Sequence, residues 1–253
     1  MNKSKNRIIA LTLILSAMSF ARMTEVQFEG FDNPQILSGF DSLNTRFVGQ
    51  WPFGPSMAVA YDAARSMVYL GAGGGVYVLD VSNPSSPVKV SDIYTRGFVQ
   101  GLFYDAGNQR LYVAGDQGGL EIWDISDALN PFKLGFYFTP GLAYGVYVSG
   151  SYAYVADRGS GLRIINVSNP ANPTEAGYYD TPGSAWGVYV SGSYAYVADW
   201  LSGLRIINVS NPVNPTEAGY YDTPGCALGV YVSGSLAYVA DGYNSGLRII
   251  NVS

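Results

Sequence analysis

Residues 160–199 read SGLRIINVSNPANPTEAGYYDTPGSAWGVYVSGSYAYVAD, and the same phrase returns at 202–241 with 36 of 40 positions unchanged. A chain that repeats itself at this interval is an array of one structural unit, and the nature of that unit decides the fold. Looser copies lie upstream, VYVLDVSNPSSP at 76–87 and LEIWDISDALNP at 120–131. The Asp or Asn that closes each apolar run falls at Asp80, Asp124, Asn166, Asn208 and Asn251, with spacings of 44, 42, 42 and 43 residues. Five copies therefore fill the chain from about residue 46 to its end.

Each copy divides into four short runs rich in Tyr, Val, Ile and Leu, separated by Gly, Pro, Asn and Ser. In the fourth copy these runs are 185–191, 194–198, 204–209 and 216–222. Turn signals this frequent leave no room for helices, which need about ten uninterrupted residues. Four strands and four turns account for the 42-residue period. The unit is a propeller blade, and the fold is all-β, a propeller of about five four-stranded blades.

GLRIINVSNPANP (161–173) followed by GVYVSGSYAYVAD (187–199) resembles the LVIVD-repeat family of β-propellers. The resemblance covers about residues 46–253. It implies a propeller fold and an exported bacterial or archaeal protein, and no single activity. The family pattern prefers Asp where Asn166, Asn208 and Asn251 stand, whereas Asp80 and Asp124 keep it.

The repeat region begins with a fourth-strand run, 46–51, which aligns with 133–137, and it stops just after a third strand. In a ring, that N-terminal strand is expected to complete the last blade and remove the open edge. Near-identical copies also suit a longer ring of six to eight blades; five are favoured because closure removes the edges.

Lys3, Lys5 and Arg7 precede an apolar run at 8–21 that ends in Ser19-Phe20-Ala21. Residues 1–21 read as a signal peptide and 22–45 as a linker or irregular segment. The alternative is an uncleaved anchor, although 14 apolar residues are short for a span. Without that leader, 19 acids face 11 bases, a net charge of −8, which argues against nucleic acid and anionic membranes as partners. The lone Cys226 can form no internal disulfide, and with no His in the chain, His general bases and His-ligated metals are excluded. No cofactor and no metal site is expected.

Antiparallel strands send alternate turns to opposite faces. The turns at 149–151 and 168–170 share one face and are nearly uniform between copies. The opposite face carries the variable turns DQGG (116–119), DRGSG (157–161), DWLSG (199–203) and DGYNSG (241–246). Phe98, Tyr144, Arg158, Trp186, Trp200 and Tyr243 fall there and form the candidate ligand-binding set, because Trp, Tyr and Arg stack on sugars and anchor interfaces. Tyr144 and Trp186 could equally plug the central channel or pack between blades. Asp116, Asp157, Asp199 and Asp241 open these turns and are expected to serve them as Asx-turn acceptors rather than as Ca²⁺ ligands.

The sequence thus points to a secreted or cell-surface, non-enzymatic scaffold that binds a protein or glycan ligand on its variable face. The alternatives are a glycan-active enzyme using Asp residues at the channel mouth, and a structural spacer within a longer surface protein.

Overall fold

The computed structural model describes residues 55–242 and 245–253. The expected signal peptide, the linker, the strand at 46–51 and Tyr243 lie outside the described residues. Blade 1 contains β1 (Ser56–Asp62), β2 (Met67–Ala72), β3 (Gly75–Asp80) and β4 (Val88–Tyr94). Blade 2 contains β5 (Gly101–Asp105), β6 (Arg110–Ala114), β7 (Leu120–Asp124) and β8 (Phe132–Tyr137). Blade 3 contains β9 (Gly145–Ser149), β10 (Tyr152–Ala156), β11 (Leu162–Asn166) and β12 (Thr174–Tyr179). Blade 4 contains β13 (Gly187–Ser191), β14 (Tyr194–Ala198), β15 (Leu204–Asn208) and β16 (Thr216–Tyr221). Blade 5 contributes β17 (Cys226–Ser233), β18 (Leu236–Gly242) and β19 (Gly246–Asn251). Each blade is an antiparallel meander, and the described part of blade 5 has three strands.

The local sequence explains each turn. Ser149 pairs with Tyr152 across a two-residue hairpin whose first residue, Gly150, takes the left-handed φ of 58° that such a loop requires. At the other turn of the same face, the side-chain oxygen of Asp80, Asp124, Asn166, Asn208 or Asn251 accepts the backbone N–H two residues on, at 2.8–3.0 Å. Only an acceptor oxygen is used, so Asn and Asp are interchangeable there.

Each blade has two apolar faces. One face packs forward onto the next blade and the other receives the blade before it, giving four inter-blade cores. In the core between blades 3 and 4, Tyr154, Ala156, Leu162 and Ile164 meet Ala185, Val190, Ala195, Val197 and Ile207. The equivalent residues of blades 1 and 2, 2 and 3, and 4 and 5 form the others. The inner strands β1, β5, β9, β13 and β17 stand side by side in that order. A Cβ on Gly101, Gly145 or Gly187 would come within 2.5–3.0 Å of a carbonyl oxygen of the next inner strand, so glycine sets their spacing.

Outer strands meet the following blade in the same way. A Cβ on Gly177 would lie 2.4 Å from the Pro212 carbonyl oxygen of blade 4, whereas one on Gly219, within the identical phrase TEAGYYDTPG, meets nothing within 4 Å. Gly177→Ala is therefore expected to lower stability by about 1–3 kcal/mol, the usual cost of overpacking. Gly219→Ala should stay within about 0.5 kcal/mol of wild type. Equilibrium denaturation of the two variants measures the contrast.

Candidate functional site

The turn between the second and third strands of a blade reaches across to the next blade. Asp116, Arg158 and Trp200 occupy the same place in blades 2, 3 and 4. Each adopts a left-handed backbone, with φ of 52°, 47° and 53°. Each exchanges two backbone hydrogen bonds, at 2.9–3.1 Å, with Ala143, Ala185 or Ala227 respectively. Those alanines precede Tyr144, Trp186 and Leu228 at the head of the inner strands. A side chain of one blade's turn is thereby set beside an inner-strand side chain of the next.

The result is a continuous row. The Arg158 guanidinium lies 4.8 Å from the Tyr144 ring centre and 5.0 Å from that of Trp186, and it donates to the Tyr144 hydroxyl at 3.2 Å. Tyr144 meets Trp186 edge-on at 4.8 Å. Trp186 stacks on Trp200 at 4.8 Å with 17° between the planes. The four side chains are half-buried. Trp186 Nε1 and Asp116 Oδ1 are buried without a hydrogen-bond partner, one donor and one acceptor at the same rim. A non-glycine residue in the left-handed region costs roughly 1–2 kcal/mol. Its recurrence in three blades marks the rim as a place where side-chain position is maintained against backbone preference.

Four of the six candidate ligand residues, Tyr144, Arg158, Trp186 and Trp200, are thus brought together. Phe98 is not among them; it lies exposed in the crossover from blade 1 to blade 2, a blade away from Tyr144. Three residues deeper on the inner strands, a second tier runs from blade to blade. Phe103 contacts Tyr147 at 4.9 Å, Tyr147 contacts Tyr189 at 4.8 Å, and Tyr189 contacts Tyr231 at 4.9 Å. Burial, reinforced by the flanking Tyr147 and Tyr231, pushes the Tyr189 hydroxyl up to about 12. The sequence signal for this tier was the recurrence of Tyr147, Tyr189 and Tyr231 at 42-residue steps.

The acidic set behaves differently from the Asx-turn expectation. Asp157 accepts from Thr139 Oγ1 at 2.6 Å and from the Gly141 N–H at 2.7 Å, both in the crossover that follows the previous blade. Asp199 does the same with Thr181 and Gly183, at 2.6 and 2.8 Å, and Asp241 with Thr223 and Gly225, at 2.7 and 3.1 Å. These carboxylates clamp the crossovers; they do not cap their own turns. Asp116 is not their counterpart, because Gly115 stands in that position and Asp116 shares the place of Arg158 and Trp200.

In blade 2 the clamp comes from Glu121. Its Oε1 accepts the Arg96 N–H at 2.6 Å, and its Oε2 pairs with Lys133 Nζ at 2.6 Å. Blades 3 and 4 place Arg163 and Arg205 at the Glu121 position, facing Glu175 and Glu217 at 3.8 and 3.5 Å. The ion pair is reversed, and the charge at the clamp is kept.

Among the described residues, no group of three or more His, Cys, Asp or Glu is placed to hold a metal ion. No described helix is long and apolar enough to cross a membrane.

The LVIVD repeat matches residues 67–95, 110–139, 140–181, 182–223 and 224–253. No curated protein matches the chain. Among solved structures, the chain is similar to the periplasmic gluconolactonase of Pseudomonas aeruginosa, with a TM-score of 0.66 and 17% identity over 77% of this chain and 65% of that one. It therefore spans less than two thirds of the gluconolactonase. A functionally unknown protein from Desulfotomaculum acetoxidans gives a TM-score of 0.67 and 14% identity over 80% and 70% of the two chains. A chain of the nidogen/laminin complex gives 0.58 and 14% over 78% and 76%. At these identities the likeness is one of fold.

Burial pushes the carboxyls of Asp157 and Asp199 above the ordinary 3.8, against the opposing pull of their Thr and Gly donors. The folded protein then holds these protons more tightly than the unfolded chain does. Their stabilisation is fully present below pH 3.8 and declines as pH rises through the folded-state value. A double variant Asp157→Asn, Asp199→Asn does not titrate at these sites and leaves one donor unsatisfied at each, a loss of about 1–3 kcal/mol per site. Its deficit relative to wild type should be largest in acid and shrink toward neutral pH, as read by chemical denaturation across that range.

Proposed function

The chain belongs to the LVIVD repeat family, and on that premise we propose that it is an exported, non-enzymatic binding module whose ligand sits on the variable-turn face. The row Tyr144–Arg158–Trp186–Trp200 is the observation that carries this reading. Stacked indole rings present flat apolar surfaces beside a fixed cation. A sugar suits this arrangement, since its ring offers an apolar face to the aromatic rings and its hydroxyls can accept from the guanidinium. The ligand class is therefore a glycan. Export is supported by the leader-like first 21 residues and by the periplasmic gluconolactonase among proteins of similar fold. Asp157, Asp199 and Asp241 are engaged in crossover clamps, which speaks against their serving as catalytic acids.

Arg158→Gly and Trp200→Gly test the proposal. Glycine relieves the left-handed strain while removing the ring or the cation, so stability should stay within about 1 kcal/mol of wild type. Affinity for a glycan identified on an array should fall roughly 5- to 30-fold per substitution, the worth of one lost stacking or cation–π contact. Unchanged affinity in both variants would remove the row from the site, and binding to peptides but not glycans would replace the ligand class. The unpartnered Asp116 Oδ1 is the one observation that favours a glycan-active enzyme; turnover lost in Asp116→Asn with binding retained would establish it.

A further inference from the structure

Most of the described cations already face a carboxylate. Arg65, Arg163, Arg205 and Arg248 stand in ion pairs, and so do Lys89 and Lys133. Arg158 is different. Among the described residues no carboxylate forms an ion pair with it, and its guanidinium meets the Tyr144 hydroxyl and the rings of Tyr144 and Trp186 instead. Arg96 and Arg110 also lack an ion pair, but Arg96 lies against Phe136 and Phe138 at the outer strand of blade 2, and Arg110 follows a turn of the uniform face. Of these three, Arg158 is the one that stands within the aromatic row.

The repeat does not require this arginine. The same place holds Asp116 in blade 2 and Trp200 in blade 4, whereas the arginines beside the clamps recur as Arg163, Arg205 and Arg248. Its position is nonetheless fixed, by two backbone hydrogen bonds of 3.0 Å to Ala185 and a left-handed φ of 47°. The side chain is half-buried, which strengthens a charge–charge contact relative to one in open water. The guanidinium fork carries several N–H donors and makes one hydrogen bond, to Tyr144. None of its nitrogens is buried without a partner, in contrast to Trp186 Nε1, so the remaining donors are open to a ligand.

We propose that the glycan of the aromatic row is an acidic one, held through a sugar carboxylate on the Arg158 fork while a sugar ring lies against the Trp186–Trp200 pair. The inference rests on the glycan reading above and narrows it. A hydroxyl oxygen accepts from the fork as a neutral partner; a carboxylate offers two oxygens at the spacing of the fork and supplies the charge that the guanidinium lacks. A uronic acid carries that carboxylate on a ring that keeps an apolar C–H face for the indoles. Asp116, across Tyr144 in the row, makes no ion pair with Arg158, and its charge disfavours a carboxylate beyond Tyr144, which sets the end of the row that takes the acid. Without the first 21 residues the chain carries 19 acids against 11 bases, which repels an acidic ligand at long range. At physiological ionic strength such repulsion is screened beyond about 8 Å, whereas a half-buried pair at Arg158 is screened much less.

The test is titration calorimetry of the full chain with tetrasaccharides of galacturonic, glucuronic and mannuronic acid, each beside its methyl ester, which keeps the sugar and removes the charge. Wild type is expected to bind at least one acid roughly 10- to 100-fold more tightly than its ester, the worth of a charge-assisted hydrogen-bonded pair. Arg158→Gln keeps a hydrogen-bonding amide without the charge and should bind acid and ester alike. Trp200→Gly should weaken acid and ester together and leave their ratio unchanged. Thermal melts check that both variants fold, and the acid-to-ester ratio of wild type decides the question without them. Esters bound as tightly as acids, a sulfated galactose tetrasaccharide preferred to every uronate, or a neutral glycan bound when none of the acids is, would each overturn the acidic-sugar assignment and leave the glycan reading standing. A wild-type ratio that persists in Arg158→Gln would remove Arg158 from the contact and overturn the proposal as well. Failure to bind any glycan, acidic or neutral, would remove both readings.

Discussion

A sheet with two apolar faces cannot stand in water alone, and every feature of this molecule follows from the need to cover both. The 42-residue unit supplies a forward face of Tyr, Leu and Ile and a receiving face of Val and Ala. At about 25 cal/mol per Å² of apolar surface removed from water, face-on-face packing is the dominant stabilising contribution. Hydrogen bonds within each meander satisfy the backbone but join no blade to another. What joins them is side-chain packing, backed by three devices at the periphery: inner-strand glycines, the carboxylate clamps on the crossovers, and the paired bonds from the left-handed turn residues to the next blade.

The clamp shows how one requirement is met by two chemistries. A crossover loop leaves a backbone N–H pointing inward, and a buried donor left unpaired is costly. Blades 3, 4 and 5 answer with an Asp at the end of the second strand, and blade 2 answers with Glu121 from the third strand. The neighbouring cation changes in step. Arg163 and Arg205 sit where Glu121 does, and Lys133 sits where Glu175 does; the buried Glu121 pairs with Lys133, Asp199 with Arg205 at 3.9 Å and Asp241 with Arg248 at 3.2 Å. Charge position is free to move by one strand provided that the loop's donor is met.

Much of the fold was legible in the letters. Four strands per copy, their turns and the propeller follow from the repeat period and from β-branched and aromatic runs, and strands β13 to β16 fall within two residues of where the fourth copy places them. The site was legible only in part. Tyr144, Arg158, Trp186 and Trp200 stand out as large side chains on a variable face, but their assembly depends on bridges that pair Arg158 with Ala185 and Trp200 with Ala227. Such bridges require a left-handed backbone that no Gly or Asn announces at those positions. Asp116 was matched to Asp157 by its letter, yet the geometry sets Gly115 there; one residue of slip in a turn exchanges a clamp for a rim position. Phe98, placed on the same face by sequence, stays exposed in the crossover from blade 1 to blade 2 and does not join the row.

The near-identity of the faces has a cost during folding. The forward face of blade 3, with Tyr154, Leu162 and Ile164, is built to receive Val190 and Val197 of blade 4, but Val232 and Val239 of blade 5 offer the same shape. Nothing in the packing itself rejects a nascent structure in which one blade is skipped. Order is set instead by tether length, since the neighbour in sequence reaches the face through the shorter loop and loses less entropy in doing so, a margin that grows only logarithmically with the skipped distance. Emergence of the blades one after another from the ribosome widens that margin, because each face is occupied before a competitor for it exists.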